Sequence, residues 1–198
     1  MQNIASVTSF LSEQVKCEGG NAQREVLQII KTTDGGLYYR DNRGNCYRAF
    51  LFVEDTVCLQ TIEKPEQFYQ VAKAFGKFQR QLHAFPAETL FETIPHFHDT
   101  RDRYRLFTEA VARDTAGRAK SVQKEIDFIR MREKDTGVLL DLLENKQLPL
   151  RVTHNDTKLN NVLLDHKTGK GICVIDLDTV MPGLIHYDFG DSIRYGAS

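Results

Sequence analysis

Apolar positions recur at helical spacing near the start of the chain, where Ile4, Val7, Leu11 and Val15 fall three or four residues apart with Phe10 beside them. That periodicity predicts an amphipathic helix. The pattern then changes. Residues 26–30, 37–39 and 46–53 are short apolar, β-branched or aromatic runs, separated by Gly35-Gly36 and by Asn42-Arg43-Gly44-Asn45. Runs and turns of this kind predict a small antiparallel sheet. Pro65 opens a second helical stripe with Phe68, Val71, Ala72, Phe75, Phe78 and Leu82 on one side, a face suited to core packing. Two further helices are marked by Tyr104, Phe107 and Val111 and by Val122, Ile126 and Ile129, with charge on their solvated faces. Arg113, Asp114 and Arg118 fall in the break between them, and Leu148-Pro149-Leu150 ends the helical stretch. Last comes an apolar run at 162–164, a polar turn at 165–171 holding Thr168-Gly169-Lys170-Gly171, and a second apolar run at 172–175. This predicts a β-hairpin.

Composition narrows the classes. A chain of 198 residues with 41% hydrophobic content can bury one sizeable core or two small lobes. A net charge of -1 offers no diffuse basic surface for nucleic acid or anionic membranes. Residues 1–15 lack a basic flank followed by a long apolar run, and no stretch approaches a membrane span, so the expected location is cytoplasmic. Cys17, Cys46, Cys58 and Cys173 form no Cys-x-x-Cys pair and read as free thiols acting as small buried hydrophobes. His96-Phe97-His98-Asp99 follows Pro95 without a partner cluster at ligand spacing and reads as a loop. A Walker-type phosphate loop is excluded, because Leu164 stands where its first glycine would precede Gly169-Lys170, and there is no Gly-x-Gly-x-x-Gly.

The chemistry concentrates in His154-Asn155-Asp156-Thr157-Lys158-Leu159-Asn160-Asn161, followed by Val174-Ile175-Asp176. A hairpin brings its outer ends back side by side, so Asn161 entering the first strand and Asp176 leaving the second should lie close together. Mg²⁺ prefers hard oxygen ligands and usually takes one or two carboxylates, with waters and substrate phosphates completing its shell. An amide oxygen and a carboxylate suit that sparing ligation. With Asp156 as candidate base and Lys158 as phosphate-binding cation, the set points to phosphoryl transfer.

His-x-Asp-x-x-x-x-Asn followed by an Asp after a strand, turn and strand resembles the catalytic loop of the protein-kinase-like superfamily. Within it, residues 153–163, Ile175-Asp176-Leu177-Asp178 and Tyr187-Asp188-Phe189-Gly190-Asp191 are similar to the aminoglycoside phosphotransferase and choline kinase branch. Leu177-Asp178-Thr179-Val180-Met181-Pro182-Gly183 further resembles bacterial N-acetylhexosamine 1-kinase-like proteins.

The resemblance implies ATP and Mg²⁺, with transfer of the γ-phosphate to a small-molecule hydroxyl. Asp156 would deprotonate the acceptor, Lys158 neutralise the γ-phosphate, and Asn161 and Asp176 hold metal. Asp178 would assist a second metal or cap the loop, and His154 would brace it. Many small-molecule kinases of this branch carry His where Lys158 stands. The literal Asp188-Phe189-Gly190 is a decoy, since the metal-binding Asp should leave the hairpin directly; Asp188 would instead open a helix and support the catalytic loop.

The implied fold class is α+β and protein-kinase-like. Residues 1–55 would form a partial amino-terminal lobe of a helix and antiparallel strands, ending in a hinge at Phe52, Val53 and Glu54 that meets adenine. Residues 56–198 would form a partial, mainly helical carboxy-terminal lobe carrying the catalytic loop 153–161 and the metal-binding segment 172–178. The family's phosphate-covering turn and basic residue fall before the first helix, and its acceptor-shaping helices after Ser198. The chain is therefore expected to be a fragment of low activity alone. A sugar is the favoured acceptor, with choline or ethanolamine, homoserine or an aminoglycoside as alternatives. Two other classes stay open: a divalent-metal phosphohydrolase and a non-catalytic kinase-like relic.

Overall fold

The computed structural model describes residues 1–196. Helix α1 (Gln2–Cys17) turns Ile4, Val7, Leu11 and Val15 inward, as their spacing dictates. Asn21 accepts from the Gln23 amide and starts the short α2 (Ala22–Glu25). Four two-residue strands follow: β1 (Ile29–Ile30), β2 (Tyr39–Arg40), β3 (Cys46–Tyr47) and β4 (Ala49–Phe50). β1 pairs with β4 and β2 with β3, both antiparallel. The strands expected across 37–39 and 46–53 are thus shorter, the second interrupted at Arg48. Tyr39 and Tyr47 are exposed, and a two-stranded ribbon with little buried surface sustains only a short ladder.

Strand β5 (Thr56–Val57) precedes α3 (Pro65–Gln81), which Pro65 opens while Gln67 Oε1 accepts the amides of Glu63 and Lys64. Then come α4 (Thr100–Arg113), α5 (Gln123–Arg130) and α6 (Val138–Glu144). The last of these helices was not expected. The chain ends with β6 (Arg151–Thr153), β7 (Val162–Asp165), β8 (Gly171–Val174), β9 (Met181–Gly183) and α7 (Ile185–Gly196).

Contacts divide the chain into two compact units, Met1–Thr93 with Leu150–Ser198, and Ile94–Pro149. In the second unit, Asp99 caps α4 through the Asp102 amide, and Arg101 ties α4 to α6 through Asp141 and Glu144. Ile126 is its buried apolar anchor.

The first unit holds two apolar clusters. One joins α1 to Phe78 of α3 and to Leu82 just after it, to Val152 of β6 and to Cys173 of β8; the other gathers Val71, Phe75, Leu159, Val162 and Leu164. Each fully buried side chain of this size stabilises by about 1.5–3 kcal/mol. Antiparallel β5, β7 and β8 form one sheet in that order, while β6 pairs with β9. The expected hairpin is β7 and β8, with Val162 opposite Val174 and a register shift between Leu163 and Leu164. At Gly171 the backbone presses against α3: a Cβ there would come 2.8 Å from the Gln70 carbonyl oxygen.

Cys173 is buried, and burial pushes its thiol up to about 12, whereas Cys17, Cys46 and Cys58 are exposed rather than core residues as expected. Among the described residues no helix is long and apolar enough to cross a membrane.

Candidate active site

Loop 154–161 joins β6 to β7, and its path is set by buried polar groups. The Asp188 carboxylate, almost fully buried in the first turn of α7, accepts the amides of His154 at 3.0 Å and Asn155 at 2.8 Å, and Gln79 Nε2 of α3 at 2.5 Å. Burial raises the Asp188 carboxyl above the usual carboxylate range, while the two loop amides pull against that rise. Helix α7 begins at Ile185, so Asp188 does not open it. Its side chain caps the loop instead of its own helix.

His154 is wholly buried, edge-on to Phe75 and Phe78. Its Nδ1 receives the Asp156 amide at 3.3 Å and its Nε2 lies 2.9 Å from the Ile175 carbonyl. A backbone N–H only donates and a carbonyl only accepts, so these partners assign the neutral Nε2–H tautomer. His154 thereby ties the loop to the residue before Asp176. Further ties come from Thr179, whose hydroxyl donates to the His154 carbonyl, and from Asn155, whose amide donates to the Thr179 carbonyl. Asn155 and Asp176 both sit at positive φ, 67° and 60°, a conformation disfavoured for side-chain-bearing residues and held here by the surrounding bonds.

The side chain of Asn161 donates to the Asp156 carbonyl at 2.7 Å and to Asp156 Oδ2 at 3.0 Å. Lys158 Nζ lies 2.8 Å from the same Oδ2. The lysine is held above its ordinary value, first by that bond and then by the field of Asp156 and Asp176. Ile175 N donates to the Asn161 carbonyl at 2.9 Å, which closes the hairpin one residue short of Asp176. Because Asn161 commits its amide hydrogens to Asp156, its Oδ1 is the atom suited to a cation. Among the described residues no three His, Cys, Asp or Glu side chains converge at metal-ligand spacing. A cation here would rest on Asn161 Oδ1, the Asp176 carboxylate and oxygens supplied by water and substrate, the sparing shell that Mg²⁺ accepts.

Asp176 opens onto a cleft of ≈ 330 Å³ lined also by Leu27, Arg48, Phe50, Phe52, Val53 and Asp178. Val53 is buried and Phe52 is 78% exposed. The Val53 carbonyl accepts the Thr56 hydroxyl and the Glu54 carbonyl accepts Arg24, so both are committed within the protein. Asp178 forms a two-pronged ion pair with Arg48, with Nη2 to Oδ2 at 2.6 Å, and this pairing holds its carboxyl below the usual range.

Residues 21–198 match the model of the phosphotransferase enzyme family, the greater part of the chain. The chain belongs to that family. Among solved structures, an aminoglycoside-3'-phosphotransferase of type VIII is similar at 22% identity and a TM-score of 0.48, over 98% of this chain and 66% of that one. The chain thus spans just under two thirds of that protein's length.

Several contributors to this candidate site were not foreseen. Gln79 is buried and polar within the apolar stripe of α3, between Phe78 and Leu82, and that misplaced polarity was its available signal. Asp191 accepts the Thr157 amide at 2.7 Å from the same helix as Asp188. Arg48 gives no sign in sequence, since its partner Asp178 lies 130 positions away.

Proposed function

We propose that the protein is part or all of an ATP-dependent phosphotransferase that moves the γ-phosphate to a hydroxyl of a small molecule. The observation that carries this reading is the junction at the hairpin: Asn161 bonds Asp156 through its side chain and Ile175 through its carbonyl, so a carboxylate, an amide and the following Asp176 are gathered at one strand end. Asp156 takes the acceptor proton. Lys158, already paired with Asp156, turns its charge to the transferred phosphoryl group. Asn161 and Asp176 hold Mg²⁺, which when bound neutralises phosphate charge. Asp178 answers to Arg48, which argues against its service as a second ligand while that pair is intact.

In this reading residues 1–55 contribute to an amino-terminal lobe and 56–198 to a carboxy-terminal lobe, with Phe52, Val53 and Glu54 as the hinge. The cleft shared by Phe52, Val53 and Asp176 supports it, placing an apolar wall and an acid on one cavity. For the acceptor we favour a sugar, in the manner of N-acetylhexosamine 1-kinases, on the wording of 177–183. Choline or ethanolamine, homoserine and aminoglycosides are the alternatives. Calorimetric titration of residues 1–198 with Mg-ATP tests the nucleotide half, with binding expected in the wild type and lost in Asp176→Ala. Absence of wild-type binding would overturn it. A panel of those acceptors with γ-labelled ATP tests the rest, with label expected first on the hexosamine.

A further inference from the structure

Arg48 interrupts the strand run between β3 and β4, and its side chain enters the cleft that Asp176 and Asp178 also line. It is the one cation among the described residues of that lining, against two carboxylates. The guanidinium stacks over Phe50 at 5.3 Å and grips both oxygens of Asp178. Two consequences follow. A triphosphate brings several negative charges into a cleft whose own charged lining is already net negative, so its entry needs a cation that can be reassigned. The Arg48–Asp178 pair is also open to water, with side chains 36% and 49% exposed, and an ion pair in that setting holds weakly. A guanidinium fork matches phosphate oxygens as well as it matches a carboxylate.

Resting on the nucleotide reading above, we propose that Arg48 is a phosphate-contacting residue that Asp178 holds in reserve, and that a nucleoside triphosphate displaces Asp178 from it. Asp178 is then a competitor for Arg48 as well as its brace. This makes the two partners of one ion pair opposite in effect. Removing Arg48 weakens phosphate binding, and removing the charge of Asp178 strengthens it. A structural clasp would behave otherwise, because loss of either partner would loosen the same cleft.

The test is titration of residues 1–198 and its variants with adenosine, Mg-ADP and Mg-ATP, with melting curves to confirm folding. We expect Arg48→Ala to lower Mg-ATP affinity by about tenfold or more while adenosine changes by less than about twofold. Arg48→Lys should recover part of the loss, since it keeps the charge without the fork. Asp178→Asn should raise Mg-ATP affinity by roughly two- to fivefold. Equal weakening by Arg48→Ala and Asp178→Asn, or an unchanged ratio of ATP to adenosine affinity in Arg48→Ala, would overturn the proposal and leave the nucleotide reading standing. If Arg48→Ala does not fold, Arg48→Lys and Asp178→Asn carry the same contrast. A wild type that binds neither adenosine nor Mg-ATP would remove the nucleotide reading and this proposal with it.

Discussion

The Asp188 carboxylate receives the backbone amide of His154 at 3.0 Å, and its other oxygen receives the next amide along, so one buried acid of α7 fixes the start of the candidate catalytic loop. Acceptors of this kind matter most when removed. Asp188→Ala should destabilise the protein by about 1–3 kcal/mol for each buried donor it orphans. Asp188→Asn, which keeps an oxygen, should cost less. Urea unfolding of both variants checks the order, and equal stability of Asp188→Ala and wild type would contradict the role.

Asp156 is bonded by Asn161 and Lys158 but belongs to no buried cluster. Asp156→Asn should therefore leave folding intact and Mg-ATP affinity within about twofold, while single-turnover transfer to an acceptor falls by roughly 10²–10⁴. Loss of nucleotide binding in that variant would move Asp156 out of the base role.

Asp165 closes the hairpin turn, accepting the Lys167 and Thr168 amides and the Thr168 hydroxyl, with Arg24 alongside. Chiefly the Thr168 bonds lower its carboxyl from 3.8 to about 2. A folded-state value below the unfolded one favours the ionised native form. Its contribution to stability is thus fully present above about 3.8 and is lost as pH falls through about 2. Carboxyl-resolved NMR titration should find Asp165 ionising near that low value, and Thr168→Ala should move its midpoint upward.

Gly171 tests how tightly β8 lies on α3. Its substitution by alanine would place a methyl group 2.8 Å from the Gln70 carbonyl oxygen and 2.9 Å from Ala74 Cβ. Neither atom is at the end of a flexible side chain, so Gly171→Ala should cost about 1–3 kcal/mol. Gly169, at the turn with φ 68° and nothing near its Cβ position, should respond only through backbone strain.

Periodic features were the legible ones. The stripes of α1 and α3 and the two apolar runs of the hairpin carry their own registers, and the structure forms α1, α3, β7 and β8 where those patterns lie. Contacts between distant segments were not. Residues Met181–Gly183 contain Pro182 and show no alternation, yet they pair with β6 because β6 offers an unfilled edge. Thr56 and Val57 are too few to signal a strand, and β7 recruits them as a third one. Helix α6 has only seven residues, short of the two or more turns on which periodicity becomes readable. At the site, residue types and spacing single out Asp156, Asn161 and Asp176 as candidates. The grip of Arg48 on Asp178, and of Gln79 and the loop amides on Asp188, depends on three-dimensional proximity that spacing does not encode.

In the proposed site the hairpin end presents Asn161 and Asp176 together to a metal-bound nucleotide beside Asp156. A crystal structure of residues 1–198 with Mg²⁺ and a non-hydrolysable ATP analogue measures this directly. One Mg²⁺ is expected at about 2.0–2.1 Å from both Asn161 Oδ1 and an Asp176 oxygen, with the nucleotide in the cleft lined by Phe52 and Val53. Magnesium bound without either residue, or a nucleotide seated outside that cleft, would contradict it.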